Sequence, residues 1–278
     1  MALLRVESGT FSFGDAVIFN GVDLTVSKGE TLCLLGPNGC GKTTLIDCIL
    51  GFYKLDQGRI MIDDKPVNTL SPKQIAQMIA YVPQKHGRHF SFSVLDVLLM
   101  GRAPYTTFYG SPDASDIRRA ENILDSLGLS HLKHRDYTRL SGGETQLVMI
   151  MRALIQETQV IVMDEPTAHL DFKHELIVLE TIVRLIKERG LTLVMATHFP
   201  NHAFYFENQG IPVQVAFMNQ QRVNSAGPPS RALTEKNLES FYHVKTCVIN
   251  HPVPGKGTIK HIIPIQTNSN HEKIKQGQ

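Results

Sequence analysis

An apolar pentapeptide, Thr31–Leu35 (TLCLL), runs directly into Gly36-Pro37-Asn38-Gly39-Cys40-Gly41-Lys42-Thr43, which fits the pattern GxxxxGK[ST]. No other stretch constrains the fold as strongly. Glycines in such a loop let backbone N–H groups turn inward around phosphate oxygens. The helix expected to open near Gly41 and run through Thr43, Thr44 and Leu50 to Gly51 adds the positive end of its dipole. Lys42 then supplies a point charge for the β- and γ-phosphates, and the Thr43 hydroxyl can ligate Mg²⁺. A glycine-rich turn before a helix is the weaker reading, because strand, loop and helix follow in the order a phosphate cradle needs. The chain is therefore expected to be α/β.

Val160-Ile161-Val162-Met163-Asp164-Glu165 is an apolar strand that ends in two carboxylates. A strand buried on both faces and stopping at Asp164 puts a carboxylate at the sheet's C-terminal edge, where Mg²⁺ on a triphosphate would lie. Glu165 is then placed to orient or deprotonate an attacking water. Alone, an acidic turn helped by Pro166 would be the better reading; beside a phosphate cradle it is not. Leu140-Ser141-Gly142-Gly143-Glu144 is, as local structure, a capping box in which Ser141 caps the next helix and Glu144 reaches back. That leaves two adjacent glycines at positions where glycine is costly. Bare backbone amides at a helix start make an anion site, suited to the γ-phosphate of a second molecule's nucleotide.

Elsewhere the N-terminal third reads as short strands (Leu3–Glu7, Val22–Val26, Arg59–Ile62, Ile79–Val82) between turn residues. Ser93–Met100 and Ala114–Leu127 read as helices. From Gly142 strands alternate with helices: Gly142–Gln156 helix, Val160–Met163 strand, Phe172–Arg189 helix, Thr192–Ala196 strand. This predicts a parallel sheet with crossover helices. Leu176, Leu179, Val183 and Ile186 should form one buried face of the 172–189 helix. Beyond about residue 210 helical periodicity fades into short strand-like runs and a polar tail from Thr267.

Composition narrows the function. With 42% apolar and 19% charged residues in 278, a sizeable core is available, which excludes a disordered or collagen-like chain. Lys+Arg 28 against Asp+Glu 26 leaves +2, so no basic footprint for nucleic acid appears. No window approaches about 18 uninterrupted apolar residues. The opening MALLRVESGT shows no secretory leader, and Cys33, Cys40, Cys48 and Cys247 include no CxxC pair; both point to reduced, cytoplasmic thiols.

Taken together, the cradle, the Asp-Glu strand and LSGGE at 140–144, in that order, resemble the nucleotide-binding subunit of ATP-binding cassette (ABC) transporters over about residues 3–245. The resemblance implies a P-loop cassette with a mixed-sheet core, an antiparallel N-terminal β part and an inserted α-helical subdomain. The corresponding segments are 1–85, 86–155, 156–220 and a C-terminal appendage, 221–278. It matches Phe13 to the aromatic that stacks on adenine, Gln84 to the loop glutamine near metal and attacking water, Asp171 to the loop that communicates across the dimer, and His198 to the switch histidine at the γ-phosphate. Phe stands at 13 where Tyr is commoner, and stacking needs only the π face. Thr145, Leu147 and Phe199 depart from residues common in the family. Cys40 reads as a small filler.

ATP and Mg²⁺ are the implied ligands, with Thr43, Gln84 and Asp164 around the metal and Glu165, Gln84 and His198 around the reaction. The cradle of one copy would face the Ser141–Gly143 turn of another, in a head-to-tail homodimer. SFSVLDVLLMGRAPYTTFYG (91–110) resembles importers of iron–siderophore, haem, cobalamin and molybdate-type chelates, where VLDVLLMGR helps form a groove for a permease helix. Implied partners are two transmembrane permease subunits and, indirectly, a periplasmic or extracellular binding protein, with this chain peripheral on the cytoplasmic face. The alternative is a soluble ABC ATPase acting on nucleic acid or ribosomes; it would ordinarily carry a coiled-coil insertion or a second cassette, and neither is present. A GTPase or nucleotide kinase leaves LSGGE unexplained, and there is no NKxD motif. His86, His89, His243, His251, His261 and His271 share no metal-ligand spacing and are expected to be solvent-exposed. Residues 246–266 are expected to be edge strands rather than a regulatory add-on.

Overall fold

The computed structural model describes residues 2–268 except 85, 86, 88, 89, 107–109 and 256, together with the side chains of 225 and 226. The first half contains β1 (Ala2–Phe13), β2 (Ala16–Ser27), β3 (Thr31–Leu35), α1 (Lys42–Ile49), β4 (Gln57–Ile62), β5 (Lys65–Pro66), α2 (Pro72–Met78), β6 (Ile79–Val82), α3 (Val94–Leu99) and α4 (Ala114–Ser126). After these come α5 (Gly142–Leu154), β7 (Val160–Asp164), α6 (Phe172–Arg189), β8 (Thr192–Thr197), α7 (Asn201–Asn208), β9 (Val213–Asn219), β10 (Arg222–Gly227), α8 (Pro229–Ala232), α9 (Glu235–Tyr242), β11 (Val244–Val253) and β12 (Gly257–Thr267).

A six-stranded sheet runs in the order β10-β9-β3-β8-β7-β6, parallel except for β10 at one edge. An antiparallel sheet, β2-β1-β4-β5, lies over it. Successive side chains of a strand point to opposite faces. Cys33 and Leu35, Ile161 and Met163, and Leu193 and Met195 therefore enter one core, packed against the helices. Leu32 and Leu34, Val160 and Val162, and Val194 and Ala196 enter the other, packed against α1 and the antiparallel sheet. Two buried faces explain why these strands are apolar at nearly every position.

Helix boundaries follow local chemistry. Ser93, Asp113 and Ser141 cap α3, α4 and α5 in reciprocal capping boxes; Asp171 caps α6, and left-handed Gly190 ends it. One residue of the expected α6 stripe departs from it. Leu179, Val183 and Ile186 are buried, but Leu176 is 39% exposed, because the buried face is carried instead by Val178, Ile182 and Leu185. Helical structure also continues past residue 210, in α8 and α9, where short capped turns replace long periodicity.

Residues 244–267 are not edge strands of the main sheets. They form a separate two-stranded hairpin. Two asparagines of α7 satisfy the outer edge of β12: Asn201 exchanges bonds with the Ile262 backbone (2.8 and 3.0 Å), and Asn208 with that of Lys260 (both 3.1 Å). Side-chain amides here replace a strand neighbour.

Candidate functional site

The C-terminal ends of the parallel strands collect the chemistry, as open α/β sheets do. β3 delivers the 36–41 loop, β7 delivers Asp164 and Glu165, β8 delivers Thr197 and His198, and β6 leads to exposed Gln84. Within the loop Gly39 (φ 78°) and Gly41 (φ 103°) occupy the left-handed region that side chains avoid. A Cβ on Gly36 would collide with the Met218 carbonyl. α1 begins at Gly41 with no side-chain cap, so its first amides are not taken up by a local oxygen.

Lys42 is buried, and its Nζ donates to the carbonyls of Gly36 (2.8 Å) and Pro37 (3.2 Å) while lying 3.7 Å from Glu165 Oε1. Glu165 Oε2 meets His198 Nδ1 at 2.6 Å. Glu165 is itself left-handed (φ 49°), a conformation with an energy cost that tends to be retained at functional sites. Its amide donates to the Ala196 carbonyl (2.9 Å), which pins the turn to β8. The Thr43 hydroxyl donates to Asp164 Oδ2 (2.7 Å), whereas the buried Asp164 Oδ1 has no partner. Burial, and then the neighbouring Glu165 charge, push the Asp164 carboxyl above its ordinary value, with Thr43 opposing.

A hydroxyl and a carboxylate with one oriented, unsatisfied oxygen fit Mg²⁺, which takes few protein ligands and completes its octahedron with phosphate oxygens and water. Among the described residues no group of three His, Cys, Asp or Glu could hold a metal by itself. His243, His251 and His261 are exposed, as expected; His86, His89 and His271 lie outside the described residues. Burial raises the Cys40 thiol, in keeping with a filler rather than a reactive thiolate.

The 140–144 turn is built differently. Ser141 and Gly142 are exposed and Gly143 is buried. The Ser141 hydroxyl accepts from the Glu144 amide (3.2 Å), and Glu144 Oε2 accepts from the Ser141 amide (2.8 Å). That amide, with the Ser141 side chain and Arg135, holds the Glu144 carboxyl below its ordinary range. The two glycines differ. A methyl on Gly143 would be driven into the His174 imidazole, but one on Gly142 would meet only Leu170 Cδ2, at 3.6 Å. His174 is held by Asp171, whose carboxylate accepts from the His174 amide (2.9 Å) and sits 2.8 Å from its Nδ1. The structure thus joins the turn to Asp171 within the chain. Among the described residues no side-chain bond of Ser141 or Glu144 goes to the 36–43 loop; the two engage one another, and Glu144 also meets Arg135. Phe13 is 48% exposed, and its ring packs edge-on against Phe11 (4.9 Å) and Tyr53 (5.3 Å).

Two features escaped sequence reasoning. His202 is buried between Glu175 and Thr197. Tyr242, closing α9, has a buried hydroxyl that burial and nearby Cys40 and Glu165 push above the usual phenol range. A groove of about 580 Å³, lined by Tyr53, Leu55, Tyr81, Pro104 and Gln156 among others, takes Met100 and Gly101 from the VLDVLLMGR stretch for which the sequence suggested a groove.

Comparison with known proteins accords with this geometry. The ABC transporter family matches residues 19–168. The molybdate import ATP-binding protein MolC of Haemophilus influenzae is 35% identical over 242 residues, covering 87% of this chain and 88% of the relative. The hemin import ATP-binding protein HmuV of Thermobifida fusca is 34% identical over 263 residues, covering 90% and 89%. A solved inward-facing structure, described as an ABC transporter of metal-chelate type, superposes with TM-score 0.83 at 32% identity, covering 95% of this chain and 98% of that one. No helix among the described residues is long and apolar enough to cross a membrane. With the glycine-rich loop and the paired carboxylates on this sheet and the glycine turn at the start of α5, the chain belongs to the ABC transporter family, as an ATP-binding subunit that hydrolyses ATP.

Proposed function

We propose that this chain is the motor of an importer for metal chelates, of the iron–siderophore, haem, cobalamin or molybdate type, working with a separate permease. The relatives that span nearly its whole length carry such names. Two copies close head to tail on ATP, each cradle (Gly36, Pro37, Asn38, Gly39, Cys40, Gly41, Lys42, Thr43, Thr44) facing the Ser141–Gly143 turn of the other. The observation that carries this reading is the exposed Ser141–Gly142 turn, whose side-chain bonds, among the described residues, stay within its own capping box. Closure draws on the free energy of binding ATP to the closed pair, and hydrolysis withdraws it.

In the reaction Lys42 leaves the Gly36 and Pro37 carbonyls for the phosphates. Glu165 orients and deprotonates the attacking water, and His198 holds the γ-phosphate side of the site while bonded to Glu165. When bound, Mg²⁺ at Thr43 and Asp164, with Gln84 beside it, would neutralise charge on the β- and γ-phosphates. Phe13 stacks on the adenine and Asp171 carries contact across the dimer. The groove beside α2 and residues 100–104 receives a cytoplasmic helix of each of two permease subunits, so the chain sits peripherally on the cytoplasmic face. A binding protein outside the membrane meets only the permease.

Mixing tests the head-to-tail site. Lys42→Ala kills the cradle of one copy and Ser141→Arg blocks the turn of another. Each variant alone is inactive, and their mixture regains turnover because mixed dimers hold one intact composite site. A mixture as inactive as its parts would refute the shared site. Copurification with a polytopic permease, and loss of chelate uptake on deletion of this chain, test the importer assignment.

A further inference from the structure

The loop that carries His198 is not held by its own backbone alone. Thr197 ends β8, and its hydroxyl accepts from the Phe199 amide (3.1 Å), bridging the residues on either side of His198. The same hydroxyl lies 3.0 Å from His202 Nδ1, and His202 Nε2 lies 2.8 Å from Glu175 Oε1, one turn into α6. Phe199 packs between the rings of His198 (3.9 Å) and His202 (5.3 Å). His202 is 2% exposed and Thr197 wholly buried.

Donor chemistry fixes one end of this chain: a carboxylate only accepts, so Nε2 carries a proton toward Glu175. The Thr197 hydroxyl, already accepting from the Phe199 amide, holds Nδ1 at the other end. Every member is satisfied, which is the condition under which a buried polar network fixes a single geometry. Its two ends are α6, which begins at Asp171, and the loop whose histidine meets Glu165 at 2.6 Å.

We propose that His202 is a positioning residue for hydrolysis, tying the His198 loop to α6 through Thr197 on one side and Glu175 on the other. This rests on the reading of His198 and Glu165 as the hydrolysing pair. His202 touches no nucleotide-binding residue of the cradle, so its loss changes the aim of His198 and not the binding of ATP. Small displacements of a catalytic group lower rates steeply.

The test is steady-state ATPase of the full-length chain, with ATP affinity and thermal stability measured alongside. His202→Leu keeps the volume and removes both bonds; it is expected to lower kcat about tenfold with KM and nucleotide affinity unchanged. His202→Gln, whose amide can donate to Glu175 and accept from Thr197, is expected to recover most of the rate. Glu175→Ala, at the solvent side of the network, guards against a folding failure and is expected to lower kcat several-fold at unaltered stability. In imidazole ¹⁵N spectra the wild type should show a proton on His202 Nε2, held toward Glu175. A kcat untouched in both His202→Leu and Glu175→Ala below their melting temperatures would overturn the proposal, as would a His202 Nε2 that carries no proton. His198→Ala separates the two levels: if it retains turnover, the reading of the hydrolysing pair fails and takes this proposal with it; if it is inactive while His202→Leu is normal, only the positioning role fails.

Discussion

Two helix starts in this molecule are built to present backbone amides, and they are built in opposite ways. α1 opens on left-handed Gly41, with no side-chain cap and no acid in its first turn. No side chain of its own first turn quenches its positive end, and Lys42 is parked on carbonyls 2.8 and 3.2 Å away. α5 opens on a complete capping box, with Glu144 in its first turn. Its dipole is partly compensated and its terminus is stable unaided. On the proposed reading the first is a primary anion site that binds a triphosphate with its own chain alone. The second offers the Ser141 and Gly142 surface, which on that reading completes a site begun on another molecule.

The largest expected effect tests whether the first site is self-sufficient for binding. Glu165→Gln keeps the shape of the site and removes the base, so hydrolysis is expected to fall about 10²–10⁴-fold while ATP affinity is retained. Closed dimers should then accumulate, visible by size-exclusion chromatography with ATP and Mg²⁺. Retained turnover would remove Glu165 from the base role; lost affinity would show that binding and chemistry are not separable at this loop.

Next in size is the contrast between the two glycines of the second site. Gly143→Ala forces a methyl into His174, and overpacking of this kind typically costs about 1–3 kcal/mol. Gly142→Ala has room beside Leu170, so its stability should change by no more than about 0.5 kcal/mol. If Gly142 serves a partner's phosphate, its alanine variant loses ATPase without losing melting temperature. Equal stability losses in the two would mean that both glycines are there for packing.

That contrast also marks what the sequence could disclose. The cradle was legible because its eight residues are contiguous, with strand before and helix after. β7 was legible because burial on both faces leaves an unbroken apolar run. The paired glycines looked functional, yet the reason for Gly143 lies 31 residues away in His174, a tertiary contact that local pattern does not carry. Leu176 misled because the apolar stripe of α6 is offset from it. α9 and the hairpin escaped because eight-residue helices and asparagine-capped edges leave little periodicity. His202 was one histidine among twelve until the fold placed Glu175 and Thr197 around it.

A smaller effect concerns Asp164, the carboxylate that the first site leaves half satisfied. Its pKa is raised in the folded chain, so the native state holds the proton more tightly than the unfolded one. Stability of the nucleotide-free chain should therefore fall as pH rises from the ordinary aspartate value through the raised one, and stay reduced above it. Asp164→Asn removes that penalty. At pH 7 it is expected to raise the nucleotide-free melting temperature by an amount equivalent to about 1 kcal/mol, and to lose the additional stabilisation that Mg²⁺ gives in the presence of ATP. A lower melting temperature for the asparagine variant would show that Thr43 and Lys42 already compensate the charge.

The smallest effect separates charge from hydrogen bonding at the second site. Glu144 is depressed by the Ser141 amide, so its contribution is present above the ordinary glutamate value and is lost as pH falls below about 4. Glu144→Ala breaks the box and should cost about 1 kcal/mol at pH 7. Glu144→Gln keeps an acceptor for the Ser141 amide and loses the ion pair with Arg135 (3.1 Å), an exposed pair of small, salt-sensitive value. Denaturant titrations at pH 7 and at about pH 2.5 should find the alanine variant weaker than the glutamine variant at pH 7, and the wild type converging on the glutamine variant at the lower pH. The glutamine variant also leaves the partner's phosphate facing a more positive helix start, since the compensating carboxylate is gone. ATP-driven dimerisation at low salt should then be equal to or stronger than in the wild type, and weaker dimerisation would mean that the acid itself shapes the turn.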